Sequence, residues 1–461
     1  MREASPMLAA LPGNEMPSQA RPGRGLRPSA LLALLAVVFL AVQLAGATGP
    51  AAADPGDVGV EGLSHAGTGT PTGTKRAESV LWFNDGYWWG NLWDTETSDF
   101  HIFRFDTGTQ TWIDTGVTTE TRTDTHHDVL WDGSTLYVAS HKFVHDGVPA
   151  AAGYPARLYR YRYDSATDTY TPLGSSQINN HRTETLVIDK DSSGRLWATW
   201  QQGQQIWLNT TGTDGLTWGT PFAHPATADP ASPANVSIDD TSAVIAFGSG
   251  RVGLMWSRQV GNDTDGFYWS VHDDTAAPMS WSTPTAVATG YRSGDDHLNL
   301  KWLDSSGANV FAAVKTSFTR ASQALIQLFA MSTDGTWSVT QIATVSECPN
   351  RVILLIDEAA QRLRTFATYP KPSGSPNAGT CSSSGGAIYE KSTPLDAISF
   401  TTDKVLRILD VDQYVHNASS TKQNINNGRA GGASTTNSGA LVIADVNATS
   451  RYWHFYDGPT T

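Results

Sequence analysis

Histidines, carboxylates and basic residues recur along this chain in short runs: His127-Asp128, His181-Arg182-Thr183-Glu184, Asp239-Asp240, Asp295-Asp296-His297, Asn350-Arg351 and Asn427-Gly428-Arg429. A second set alternates with them: Trp93-Asp94, His141-Lys142, Gln201-Gln202, Ser257-Arg258, Lys315-Thr316 and Tyr369. Imidazoles beside carboxylates can move protons near neutral pH, and Arg or Lys can neutralise an acid group. The densest run is Asp295-Asp296-His297. Side chains alternate along a strand, so Asp295, His297, Asn299 and Lys301 share one face. Such a cluster could hold a cation, but no loop of regular ligand spacing supports one, and no metal or cofactor is expected.

These residues are positioned by a repeat. A short apolar strand leads to a polar turn and a second aromatic-rich strand, then to two more strands and often a Trp. Val129-Leu130-Trp131-Asp132-Gly133 into Leu136-Tyr137-Val138-Ala139 is one copy, and Ala243-Val244-Ile245-Ala246 into Val252-Gly253-Leu254-Met255-Trp256 is another. Its period of roughly 50–57 residues matches the long end of four-stranded propeller blades. We therefore expect an all-β, seven-bladed β-propeller of antiparallel blades, six or eight being compatible with the weak last repeat. That repeat reads as Ala440–Ile443 and Tyr452–Phe455, with little chain left for an outer strand. Residues near Lys75–Ser79 are expected to supply it and close the ring.

Arg21, Arg24 and Arg27, an apolar run from Leu31 to Leu44 and small residues through Ala53 have the order of a secretory signal. The run is too short for a comfortable membrane span. The expected organisation is a signal over residues 1–53, a flexible linker over 54–74 and one propeller over 75–461, secreted and monomeric. A net charge of −13 argues against a nucleic-acid partner. Cys348 and Cys381 are the two cysteines, and export favours a disulfide between them.

In a propeller, residues before the first strand of a blade and after its second gather at one end of the central channel. The polar runs above occupy those places. One mouth would thus collect His127, His141, His181 and His297 with Asp128, Glu184, Asp240 and Asp296. Arg182, Arg258, Arg351, Lys301, Lys315 and Asn299 would join them. Amides and carboxylates for hydroxyls, cations for acid groups and aromatic faces for rings suit an anionic or neutral sugar chain.

The turns Thr211-Gly212-Thr213-Asp214-Gly215-Leu216-Thr217-Trp218 and Ser332-Thr333-Asp334-Gly335-Thr336-Trp337 resemble the Asp-box (BNR) repeats of sialidase-like propellers. The resemblance implies a carbohydrate-active superfamily and no particular substrate. Its polysaccharide lyases use His or Tyr as base, with His, Arg or Gln against a uronate carboxylate. By that likeness His127, His141, His181 and His297 are candidate bases, and Arg182, Arg351 and Lys315 candidate neutralisers. A glycosidase needs two carboxylates across the bond, and Asp128, Glu184, Asp240 and Asp296 offer them. Arg182, Arg258 and Arg351 could form a sialidase-like arginine triad, yet the Arg-Ile-Pro signature of that family is missing from the first blade. A lectin-like propeller would use the same amides and aromatics without so many titratable groups.

Overall fold

The computed structural model describes residues 54–459, apart from 145–150, 249, 307–308 and 383–384. The expected signal, residues 1–53, lies outside them. Seven four-stranded antiparallel sheets make a β-propeller. Helix among the described residues is confined to 3-10 turns of four residues or fewer, and none is long and apolar enough to cross a membrane.

The inner strands are Leu81–Asn84, Thr125–Trp131, Val187–Lys190, Ser242–Phe247, Leu298–Leu303, Asn350–Asp357 and His416–Ser419. A blade packs against a neighbour on both faces, so its central strands read as near-continuous apolar runs. Ala243 to Ile245 and Val352 to Ile356 are buried throughout. Large rings fill the wedges between blades: Trp88 and Trp93 with Tyr452 and Trp453, and Trp197 with Trp256 and Trp269. Trp218 and Trp337 are only half-buried. Their turns are tied by Asp214, which accepts from the Leu216 amide at 2.9 Å, and by Asp334, which accepts from the Thr336 amide at 2.9 Å.

Adjacent inner strands diverge, so their backbones cannot pair along their length, and polar side chains bridge the gap. Asp128 accepts from the Ile188 amide at 2.8 Å, Asp189 from Ala246 at 2.8 Å, and Asn299 from Leu354 at 3.0 Å. Gln423 accepts from Phe83 at 2.8 Å, across the junction of the seventh and first blades.

The seventh blade differs from expectation in two ways. Its inner strand is His416–Ser419, and the run from Ala440 forms the second strand, Ala440–Val446. Its outer strand is Val60–Ser64, which pairs with Arg451–Asp457. Closure by an N-terminal strand therefore holds, but the strand lies within the segment expected as a linker. Lys75–Ser79 does something else. The Lys75 carbonyl accepts from the Leu298 amide at 3.3 Å, and the Ser79 carbonyl from Val129 at 2.8 Å. The Arg76 carbonyl accepts from Asn299 at 2.6 Å. The segment thus lies inside the channel, bound to the inner strands of the second and fifth blades.

Candidate functional site

The channel has two ends. At the near mouth, where the inner strands begin, the sequence-selected residues meet the N-terminal segment. Lys75 donates to Asp296 and stands 3.3 Å from Glu184 and 4.0 Å from Asp239. Beside it, His297 Nδ1 lies 3.0 Å from Asp295 and 2.5 Å from Asp296. Lys315 donates to Asp295 at 3.0 Å. Two carboxylates on one ring nitrogen fix Nδ1 as the protonated position. His297 Nε2 is buried and has no hydrogen-bond partner among the described residues. Burial pushes the imidazole down to about 3, against the pull of Asp295. Burial opposes ionisation of Asp295, but Lys315 and His297 outweigh it and hold that carboxyl well below the usual range. The ring is thus a neutral imidazole with an oriented Nε2 lone pair. Asp239, on the other side of Lys75, has a side chain that is 41 % exposed.

A second cluster shares this mouth. Glu78 accepts from the Leu186 amide at 2.9 Å and lies 2.6 Å from His141 Nε2. His126, directly opposite His141 on the neighbouring strand, has Nδ1 3.8 Å from Glu78. His127 points elsewhere, edge-on to Phe100 with ring centroids 4.2 Å apart. Burial lowers it to about 3.

The remaining expected residues divide. Asp128 is held by the Ser79 and Ile188 amides and pairs with Lys422 at 2.6 Å. It is a tie between blades, not an open ligand. Asp240 accepts from the Ser237 amide at 2.7 Å and from Ser257 at 2.8 Å, shaping a loop. Arg351 donates to His416 at 2.7 Å and to Asn417 at 2.6 Å. Arg258 caps the Asn235 carbonyl at 3.1 Å. His181 forms part of a shallow groove with Gln202 and Trp207, and Arg182 stacks over Tyr154 at 5.2 Å. The structure therefore gathers His141, Glu184, Asp296, His297 and Lys315 around Lys75 and Glu78. His181 and Arg182 lie out on the second blade. Asn299 and Lys301 share the expected face but line the channel interior.

Lys75 and Glu78 were not among the expected site residues. The one signal for them is the charged run Lys75-Arg76-Ala77-Glu78, which follows a stretch free of Lys, Arg, Asp and Glu from Gly62 to Thr74.

At the far mouth, where the inner strands end, the channel opens as a cavity of about 560 Å³ floored by Ala77 and Ser79. Trp131, Asp132, Lys190, Trp302 and Arg429 line it. Lys190 pairs with Asp132 at 2.5 Å and Arg429 with Glu358 at 3.2 Å. Deeper in, Lys301 donates to the Thr421 carbonyl at 2.6 Å, and burial lowers its amine to about 7.

No protein-family model matches the chain, and no curated protein does. Among solved structures the chain is similar to a protein of unknown function from Dyadobacter fermentans, at 11% identity over 73% of this chain and 95% of that one, with a TM-score of 0.46. It is similar to an ulvan lyase of a new polysaccharide lyase family, at 11% identity over 87% and 95% of the two chains, with a TM-score of 0.47. A third similar structure is an α-L-arabinanase from Penicillium chrysogenum, at 12% identity over 74% and 98%, with a TM-score of 0.39.

Proposed function

We propose that the protein is an exported carbohydrate-active enzyme that cleaves an acidic polysaccharide by elimination at the near mouth, with His297 as base. One observation carries this reading: a neutral imidazole whose Nδ1 is held by Asp295 and Asp296 and whose Nε2 has no partner. Removing a proton beside a uronate carboxylate requires such a base, together with a cation against the charge that builds on the acid group. Lys315, which donates to Asp295 at 3.0 Å, is the cation beside the ring. In the reaction Nε2 takes the C5 proton, the electron pair forms the C4–C5 double bond as the C4–O bond breaks, and the departing oxygen takes a proton from water. The disulfide between Cys348 and Cys381 and the leader-like terminus support export.

Hydrolysis is the second reading, favoured by a different observation. Glu184, Asp239 and Asp296 place carboxylate oxygens within 4.8 Å of one another, nearer the spacing of retaining than of inverting glycosidases. Lys75 lies among them, however, and partly neutralises the set.

The test is a panel of uronate-containing and neutral polysaccharides, followed by reducing ends and by ultraviolet absorbance of an unsaturated uronate. Elimination gives both signals, hydrolysis gives reducing ends alone, and a binding module gives neither. His297→Gln should lower the elimination rate by roughly 10²–10⁴-fold with the fold intact. Undiminished turnover by that variant would remove His297 as the base.

A further inference from the structure

We propose that Glu78, His126 and His141 form a binding site for a divalent transition metal of the zinc type, which fastens the N-terminal segment into the channel. The site is separate from the reaction proposed at His297 and does not depend on it.

The argument begins with register. His126 and His141 are directly opposed on adjacent antiparallel strands, so both imidazoles project from the same face of the sheet. Glu78 comes to them from the segment inside the channel. All three are interior, with 4 % of Glu78, 1 % of His126 and none of His141 exposed.

The outer ring nitrogens are already taken. Thr70 Oγ1 lies 2.9 Å from His126 Nε2, and Thr183 Oγ1 lies 3.3 Å from His141 Nδ1. Such outer partners orient the rings and leave the other nitrogen of each turned inward. His126 Nδ1 and His141 Nε2 both face Glu78. Two of the inward atoms, His126 Nδ1 and Glu78 Oε2, are buried without a hydrogen-bond partner among the described residues. An orphaned imidazole nitrogen facing an orphaned carboxylate oxygen is costly unless something positive lies between them.

A proton on His141 Nε2 would satisfy its 2.6 Å contact with Glu78, but the 3.8 Å separation of His126 Nδ1 from Glu78 is too long for a hydrogen bond. A metal ion serves all three. The donor set of two imidazoles and one carboxylate is that of zinc sites with a fourth position open, whereas calcium and magnesium prefer oxygen. Metal–ligand bonds of about 2.0–2.1 Å place tetrahedral donors roughly 3.3 Å apart. The inward pairs, at 2.6 Å for His141 with Glu78 and 3.8 Å for His126 with Glu78, bracket that spacing.

The experiment uses the full mature chain, stripped with chelator and then titrated with zinc or cobalt(II). We expect one equivalent bound at micromolar metal, visible d–d bands of a tetrahedral nitrogen–oxygen site with cobalt, and a thermal midpoint raised by zinc. Glu78→Gln should weaken binding at least tenfold while far-ultraviolet circular dichroism is unchanged, and His297→Gln should bind as the parent does. If Glu78→Gln does not fold, the cobalt spectrum and stoichiometry of the parent decide alone. A parent chain that binds no zinc at micromolar concentration overturns the site. So does cobalt in an octahedral all-oxygen environment. Binding that survives Glu78→Gln but disappears in His297→Gln overturns it as well.

Discussion

Several histidines of this propeller are carried in the interior as neutral rings, which sets how the fold responds to acid. Burial holds His127 and His297 at about 3 and His224 and His454 at about 4, with His126 also well below its usual value. In the unfolded chain each would titrate near 6.5. As pH falls below that value, protons bind the unfolded chain first, so these residues contribute stability that is complete above 6.5 and lost toward 3–4. Asp128 runs the other way, since burial lifts its carboxyl to about 6. Its share is present below the ordinary carboxylate value and is lost as pH rises through 6. Asp189 and Asp240 are also raised by burial, and His65, His181 and His416 are also lowered by it, so eight histidines against three aspartates should leave the protein markedly less stable at about pH 4.5 than at about pH 7. Urea denaturation at the two pH values measures this, and equal midpoints would refute it. The same residues show what the sequence disclosed of the site. A polar residue before each inner strand stands out against apolar repeats, so Glu184, Asp296, His297 and His141 could be found. Their partners Lys75 and Glu78 could not be placed, because a segment bound by side-chain contacts to the inner strands of several blades has no periodicity of its own.

Among the elements, the insert between the second and third strands of the sixth blade is the one held covalently. Cys381 in that insert is bonded to Cys348 beside the 3-10 turn Val345–Glu347, with Cα atoms 5.5 Å apart and a sequence separation of 33. Closing a loop of that length in the unfolded chain should contribute about 3–4 kcal/mol. Replacing both cysteines with serine should lower the denaturation midpoint accordingly, with little change in its slope; an unchanged midpoint would mean the bridge constrains nothing. The strands that form blade cores were legible because burial on both faces demands runs such as Val352 to Ile356. The inner strand of the seventh blade, His416-Asn417-Ala418-Ser419, was not. Its polar side chains answer Arg76, Arg351 and Asp445 rather than a core, and so it lacks the apolar signature. Val60–Ser64 escaped notice for a related reason: an outer edge strand of five half-buried residues carries too short a pattern to separate it from Gly-rich surroundings.

On the scale of the whole molecule, the pairing of Val60–Ser64 with Arg451–Asp457 joins the two ends of the described chain, with Ser64 and Ser450 separated by 386 positions. That closure has a temporal meaning. The strand made first must wait for the strand made last. Throughout synthesis the final blade lacks its outer edge, and Lys75–Ser79 has no finished channel to enter. Contacts this distant in sequence are entropically expensive to form and slow the approach to the native state. Moving residues 54–80 to follow Asp457 in a circular permutant, with the new start at Leu81, should speed refolding by roughly tenfold or more while leaving the native ring unchanged. Equal refolding rates would place ring closure after the rate-limiting step. Until closure the nascent propeller is an open arc with an unpaired strand edge at its end, and this is the interval in which two chains could exchange first strands and emerge as an interlocked pair.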